Sequence, residues 1–277
     1  VGAFAGVFQW GPVDEVKTVS SGLELVEEFY QPANTDAGVE DFYTADSFLR
    51  YGSALKVVRM ATSGLFSAND TGATASLLKN EDDYEENYKD GSLNGTVGKY
   101  IAKYAGALGN SLKVSVCASS NAYFHSGVDL VNDANADLGD TTVTVDDGTK
   151  FVVRDIIKFS GHATKYRITG ISSNLLTISS LNTPTSGGLT SAVADDESVD
   201  RFWEFHDLFD KAPGTSASAS LVGASNDEIH LVVVDEDGLF TGTQHSVLET
   251  FGFLSLASDG KDAQGQSNYY VNVLERE

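Results

Sequence analysis

The histidines are the first residues to consider for catalysis or metal binding. The chain has five of them: His125, His162, His206, His230 and His245. None are spaced as HxxxH or HExxH, which would place two imidazoles on one helix face toward a zinc ion. His206 stands beside Asp207, but neighbouring residues on a helix do not face one another. The histidines therefore predict neither a catalytic pair nor a metal site.

Cys117 is the only cysteine, which excludes an intrachain disulfide and a cysteine-based metal site. It ends a segment, residues 111–117, in which apolar residues alternate with polar ones. A reactive thiol needs an exposed, electropositive setting, so a buried structural thiol is the favoured interpretation. Cysteine usage this low is typical of proteins made in a reducing cytoplasm.

An acidic turn is the other candidate metal site. Asp235-Glu236-Asp237-Gly238 has the alternating acids that begin a calcium loop. However, the twelfth position from Asp235 is Ser246 instead of the closing glutamate. A charged hairpin turn explains the four residues better.

Motifs of common enzyme classes are also missing from the sequence. There is no GxSxG nucleophile elbow and no GxxxxGK[ST] phosphate loop. Gly106 and Gly109 lack the third glycine of a dinucleotide fingerprint, and a strand is predicted after them. We therefore expect no catalytic, cofactor-binding or metal-binding residues, no cofactor, and a protein that is not an enzyme.

The charge of the chain limits its partners. Forty acidic residues against 18 basic ones give a formal net charge of −22 in 277 residues. Binding to nucleic acid or to an anionic membrane would begin with repulsion. The acidity favours a protein that stays soluble until association is triggered, or it reflects an acidic proteome in the source organism. No apolar run approaches the length of a membrane span.

The first 61 residues alternate strands with helices. Strands are predicted at residues 1–8, 15–19 and 55–60, and helices after Ser21 and over residues 40–51. Ser21 and Glu24 have capping-box spacing, and Leu23, Val26 and Phe29 are predicted to form the apolar face of the first helix. Such alternation predicts a layered mixed sheet flanked by helices.

Later segments are more strand-like. Short β-type segments separated by turns fill residues 135–200, which predicts a small inserted all-β domain, barrel-like or sandwich-like. The predicted division is 1–134 for the first part of a core domain, 135–200 for the insertion, and 201–277 for the second part. Residues 229–234 read as a fully buried strand and residues 246–256 as a helix. The predicted fold class is α+β.

Several segments carry a recognisable order of residues: Gly6-Val7-Phe8-Gln9-Trp10-Gly11-Pro12-Val13, the helix 23–29, Phe48-Leu49-Arg50-Tyr51-Gly52, and Leu55-Lys56-Val57-Val58-Arg59. This order resembles the N-terminal region of tail sheath proteins of contractile-tailed phages. Residues 104–116 and 232–270 resemble later parts of the same family. Tyr30 departs from the pattern, because glycine is common after the helix phenylalanine.

The resemblance implies a structural subunit that stacks as hexameric rings in a helical array and contracts to drive a tail tube through the host envelope. Implied partners are identical subunits, the tube protein, and the baseplate and tail terminator proteins, with no nucleic acid and no membrane. The implied location is the virion tail, assembled in the host cytoplasm. Because the chain begins at Val1 and its only methionine is Met60, we expect a middle fragment without the family's N-terminal arm and C-terminal domain.

Two alternatives stay open at this stage. One is the sheath of a bacterial contractile injection system or tailocin, which this sequence does not separate from a phage sheath. The other is a surface- or glycan-binding module in the β-rich insertion, with Phe159 and Tyr166 as candidate aromatic platforms. The alternation of residues around these two aromatics favours core positions instead.

Overall fold

A computed structural model describes residues 1–32, 36–70, 72–89, 97–182 and 187–276. The chain forms two compact units. The first contains residues 1–113 and 233–248, and the second contains residues 114–232 and 249–277. Within the described ranges, no helix is long and apolar enough to cross a bilayer.

A three-stranded mixed sheet forms the centre of the first unit. Its strands are β1 (Gly2–Gly6), β2 (Val16–Val19) and β3 (Leu55–Arg59), in the order β1-β3-β2. β1 runs parallel to β3 and β2 runs antiparallel to it. Parallel neighbours need a crossover connection, and the helices between β2 and β3 supply it. The mixed sheet and the α+β class are confirmed.

Two helices follow β2. They are α1 (Gly22–Phe29) and α2 (Asp36–Leu49). Ser21 caps α1, because its hydroxyl accepts the Glu24 N–H at 3.2 Å. The Glu24 carboxylate in turn accepts the Ser20 N–H at 2.7 Å, which satisfies another donor at this helix end.

The apolar face predicted for α1 is partly right: Phe29 is buried and Val26 packs against the core, but Leu23 is 77% exposed. Leu25 and Phe29, four residues apart, are the fully buried residues of the helix. They join a core with Phe8, Val19, Phe42, Ala45, Leu55 and Val57. Spacings of three and four residues are both compatible with one helix face, so only the position of the sheet decides which face is covered.

The first unit continues with short elements: β4 (Ser67–Asn69), α3 (Glu81–Asn87) and β5 (Ile101–Ala105). β5 pairs antiparallel with β4. Pairing with a distant partner, not local periodicity, defines such a short strand.

A second three-stranded sheet has the order β14-β13-β6. Its strands are β6 (Leu112–Cys117), β13 (Glu228–Asp235) and β14 (Ser246–Ser255). β13 is the predicted buried strand. The helix predicted at residues 246–256 is wrong, because this segment pairs with β13. Its Val247, Phe251 and Leu254 fit a helical period, but valine, threonine and phenylalanine also favour strands.

The β-rich region is a six-stranded sheet. After a short helix α4 (Ser120–Tyr123) come β7 (Phe124–Leu130), β8 (Thr142–Thr144), β9 (Ile156–Phe159), β10 (Tyr166–Ser172), β11 (Leu175–Ser180) and β12 (Ser198–Phe202). Their order is β7-β12-β9-β10-β11-β8, and the neighbours pair antiparallel.

The two edge strands of this sheet meet. An antiparallel bridge joins Val131, just after β7, to Val145, just after β8. The sheet therefore closes into a barrel, which removes open edges. Its interior is packed with apolar side chains that include Ile157, Phe159 and Tyr166, each 0% exposed.

The barrel begins and ends at one place in the fold. The Trp203 N–H donates to the Tyr123 carbonyl at 2.9 Å, directly outside β12 and β7. The strands thus span residues 124–202, wider than the predicted insertion 135–200. The three-part domain division remains a prediction. The remaining helices are α5 (Ala217–Leu221) and α6 (Tyr270–Arg276).

Candidate functional site

The side chain of Arg59, at the end of β3, is the most fully buried cationic group of the first unit. Arg59 is 1% exposed. Its Nε donates to the Phe8 carbonyl at 2.9 Å, its Nη1 to the Gly11 carbonyl at 2.7 Å, and its Nη2 to the Gln9 carbonyl at 3.2 Å. The planar guanidinium thereby holds three carbonyls of one turn in a fixed arrangement.

Burial lowers the pKa of Arg59 to about 10, because a low-dielectric setting disfavours the charged form. At neutral pH the group is still protonated. All three hydrogen-bond acceptors of the Arg59 guanidinium are backbone carbonyls, so its positive charge is stabilised by carbonyl dipoles. Loss of the guanidinium would leave buried carbonyls without donors.

Backbone geometry makes this turn specific to its sequence. Gly11 has φ +92°, and a Cβ there would lie 2.4 Å from the Glu28 carbonyl oxygen. Only glycine fits such a position. Val13, two residues on, pairs with Arg59 as an isolated parallel bridge. The segments Gln9–Val13 and Val57–Arg59, more than forty residues apart in sequence, are therefore one structural site.

Aromatic rings cover the outer side of the turn. Trp10 packs edge-on against Tyr104 and Phe240, with ring centroids 5.6 and 5.4 Å apart. Tyr30 also contacts Phe240 edge-on, at 6.0 Å. The Tyr30 hydroxyl donates to the Leu239 carbonyl at 2.7 Å. This cluster connects the turn to the segment that follows β13.

Tyr30 has a backbone conformation suited to glycine. Its φ of 62° and ψ of −174° strain any residue with a Cβ. Having tyrosine at position 30, where glycine is common in the resembled family, therefore costs conformational energy in the backbone. The hydroxyl bond to Leu239 and the ring contact with Phe240 are interactions that glycine could not make, and they offset that cost.

The acidic turn after β13 is closed by protein hydrogen bonds. Asp235 is 0% exposed. Its carboxylate accepts the Ser111 hydroxyl at 2.6 Å, the Thr241 N–H at 2.8 Å, the Thr241 hydroxyl at 2.9 Å and the Phe240 N–H at 3.0 Å. Although burial alone would raise the pKa of Asp235, these bonds lower it to about 2. The geometry matches a charged turn, because both carboxylate oxygens of Asp235 already accept hydrogen bonds from the protein.

His206 and Asp207 contact each other, contrary to the sequence expectation. Nε2 of His206 lies 2.9 Å from Oδ1 of Asp207, because residues 206–208 form a single 3₁₀ turn instead of an α-helix. Nζ of Lys165 also lies 2.9 Å from that Nε2. Burial first, and then the Lys165 charge, lower the pKa of His206. Both Lys165 and Asp207 therefore contact this one ring nitrogen, so the protein itself engages it.

Three further residues weighed in the sequence analysis are buried: Cys117, Phe159 and Tyr166. Cys117 is 1% exposed, and burial raises the pKa of its thiol to about 11, so the structural interpretation is confirmed. Phe159 and Tyr166 are both 0% exposed and lie in the barrel core. They cannot act as glycan platforms. Across the described part of the chain, no three histidine, cysteine or carboxylate side chains come together to hold a metal.

An open concavity of about 380 Å³ lies beside β4 in the first unit. Small residues and backbone atoms form most of its wall, including Gly64, Ala68, Ala73, Gly106 and Ala107. No ionisable side chain lines it. It offers neither an acid nor a base to a bound molecule.

Among these sites, the groups with the largest pKa shifts act on the protein itself: Arg59 and Asp235 hold turns, and Cys117 fills a core. The chain is similar to the tail sheath protein of Enterobacteria phage T4, with 38% identity over 82 residues, and to that of Vibrio phage KVP40, with 40% identity over 58 residues.

These similarities are partial. The first covers 30% of this chain and 11% of the phage T4 protein, and the second covers 21% of this chain and 8% of the phage KVP40 protein. No family model matches the chain. The chain therefore resembles myovirus tail sheath proteins over a segment of limited length, and the matched segments are about a tenth of those relatives.

Proposed function

We propose that this chain is part of a structural subunit of a phage contractile tail sheath. In this proposal, copies of the subunit stack as hexameric rings around a tail tube, and contraction of the array drives the tube through the host envelope. The observation that carries the proposal is the 38% identity with a phage tail sheath protein over 82 residues. The sheath-like order of motifs in residues 6–59 supports it, since that order brings the Gly11 turn onto Arg59.

Partners follow from the same proposal. They are identical subunits, the tube protein, and the baseplate and terminator proteins, in a virion tail assembled in the host cytoplasm. We propose no catalytic role and no cofactor. Nε2 of His206 is engaged by Lys165 and Asp207 and the Cys117 thiol is buried, so neither residue is placed to act as a base or a nucleophile.

The charge of the chain suits regulated assembly. A net charge of −22 makes copies of the chain repel one another. At an ionic strength of 0.1 M, salt screens this repulsion at separations beyond about 10 Å. Short-range complementary contacts must then outweigh it. A heterologous contact, in which different surfaces of two copies meet, propagates into rings or helices.

A sheath from a bacterial contractile injection system or tailocin would show the same features, and the genes beside this one distinguish the two. The glycan-binding alternative for the insertion rested on Phe159 and Tyr166, and both side chains are buried in the barrel core. No other observation on the described residues favours it.

Negative-stain electron microscopy of the complete gene product that contains this chain tests the proposal. We expect hollow striated cylinders of uniform width, either from the protein alone or after addition of the cognate tube protein. Dispersed particles under both conditions would refute the proposal. As a control, the 277-residue chain by itself is expected to stay monomeric in light scattering.

A further inference from the structure

A turn between β8 and β9 exposes two valines. Val152 is 63% exposed and Val153 is 45% exposed. The turn is well ordered by its own bonds: the Asp155 N–H donates to the Val152 carbonyl at 3.0 Å, and the Asp155 carboxylate accepts the Val152 N–H at 2.9 Å. Arg154 takes φ +81°, a conformation that L-residues avoid. Two adjacent apolar side chains are therefore held outward on a fixed turn.

An unsatisfied cation lies next to this turn. The Arg154 N–H donates to the Ile168 carbonyl at 2.7 Å, which places the turn beside Arg167 on β10. The Arg154 guanidinium is bonded to Glu204. The Arg167 guanidinium has no hydrogen-bond acceptor among the described residues, and its Nε is buried. Burial, and then the neighbouring Arg154 charge, lower the pKa of Arg167.

Of the two neighbouring guanidinium groups, only that of Arg154 is bonded to the Glu204 carboxylate. A half-buried guanidinium without an acceptor is unfavourable, and an incoming carboxylate would relieve that cost through a charge-assisted, often bidentate bond. The surface where this turn meets β10 combines two exposed valines with the half-buried guanidinium of Arg167. We define it as the valine–arginine patch, formed by Val152, Val153 and Arg167.

Helix α1 presents the complementary chemistry. Leu23 is 77% exposed, and Glu27, one turn further along, is also exposed. Residues four apart lie on the same helix face. Glu27 makes no ion pair within the residues that the structure describes. The face Leu23–Glu27 thus combines one apolar side chain with one free carboxylate.

We propose that the valine–arginine patch of one copy of this chain binds the Leu23–Glu27 face of α1 in a second copy. Leu23 packs on the two valines, and Glu27 bonds Arg167. The contact joins different surfaces, so it is heterologous and can propagate. Its place as a joint between sheath subunits rests on the proposed function, but its existence does not.

One helix turn against one loop buries far less than the roughly 1,200 Å² of a stable interface. The contact is therefore weak by itself, in agreement with a monomeric isolated chain. Disulfide trapping suits a weak contact. The native Cys117 is buried, so it is not expected to form disulfides in this experiment.

The test mixes two single-cysteine additions of the 277-residue chain under mild oxidation. We expect Leu23→Cys and Val153→Cys chains to form a covalent heterodimer faster than Leu221→Cys and Val153→Cys chains. Leu221 is a matched control because it is 88% exposed and also lies on a helix. Equal rates for the two mixtures would overturn the proposal.

Charge reversal makes the test specific. Glu27→Arg in the first chain, or Arg167→Glu in the second, should slow trapping about two- to fivefold, the effect of a partly exposed ion pair. Combining the two reversals should restore the rate. Unchanged rates in the single reversals, or no recovery in the combination, would contradict the Glu27–Arg167 pairing.

The two proposals can fail separately. Cylinders in the microscope without preferential trapping would keep the sheath function and discard this contact. Preferential trapping without cylinders would keep the contact and discard the sheath function.

Discussion

Replacing Arg59 with methionine is expected to destabilise the first unit strongly. Methionine has a similar length but no donors, so the buried carbonyls of Phe8 and Gly11 lose their partners, and the longer bond to Gln9 is lost as well. A buried group that loses its partner costs about 1–3 kcal/mol. Because two buried carbonyls lose their donors, we expect a loss of about 2–6 kcal/mol in the free energy of unfolding.

The chain supplies its own reporter and control for this measurement. Trp10 lies in the turn, and the only other tryptophan is Trp203 in the second unit. In a Trp203→Phe background, urea unfolding followed by Trp10 fluorescence reports on the first unit alone. Arg50→Met is the matched control, because Arg50 is exposed and pairs only with Asp46 one turn away.

The outcome separates two interpretations of the motif. If Arg59 holds the turn, its replacement lowers the urea midpoint markedly and the Arg50 replacement has little effect, since exposed pairs contribute little. Arg59→Lys should fall between, because an ammonium cannot reproduce the fork geometry. Similar midpoints for the Arg59→Met and Arg50→Met proteins would refute the reasoning.

Three further results are expected. Tyr30→Phe keeps the strained backbone but loses the bond to Leu239, so unfolding followed by Trp10 should show a loss of about 1 kcal/mol; an unchanged midpoint would argue against that bond. Burial raises the pKa of Asp155 from 3.8 to about 6. The folded state therefore holds that proton more tightly, and stability contributed by Asp155 falls as pH rises from about 4 through about 6; Asp155→Asn should remove this slope, and an identical pH profile would contradict the assignment. Replacing residues 124–202 with a short glycine–serine linker should leave the remainder with cooperative unfolding, because Tyr123 and Trp203 already meet; loss of cooperative melting would show that the barrel is needed for folding.

Local patterns predicted much of the fold. The strands at residues 2–6, 16–19 and 55–59, the Ser21 cap and the buried strand β13 follow from period, capping chemistry and apolar runs. These features depend on residues close together in sequence, where backbone geometry allows few outcomes. The order of the sheath-like motifs likewise appears in the sequence alone.

Contacts between distant residues were decided only by the tertiary structure. Local periodicity favoured a helix at residues 246–256, but the available edge of β13 made the segment a strand. The barrel closes through Val131 and Val145, a pairing that no local signal encodes. His206 meets both Asp207 and Lys165 because a 3₁₀ turn orients it differently from an α-helix.

The sequence by itself determined the α+β class, the acidic composition and the presence of two sheath-like local patterns, the Gln9–Pro12 turn and the strand that ends at Arg59. It did not determine that Arg59, at the end of that strand, holds the turn through hydrogen bonds. The sequence period of a helix or strand predicts which face a side chain occupies. The hydrogen-bond partners of that side chain depend instead on which distant segment of backbone packs against that face. Arg59 is buried because the turn's carbonyls converge on it, and that convergence exists only in the folded chain.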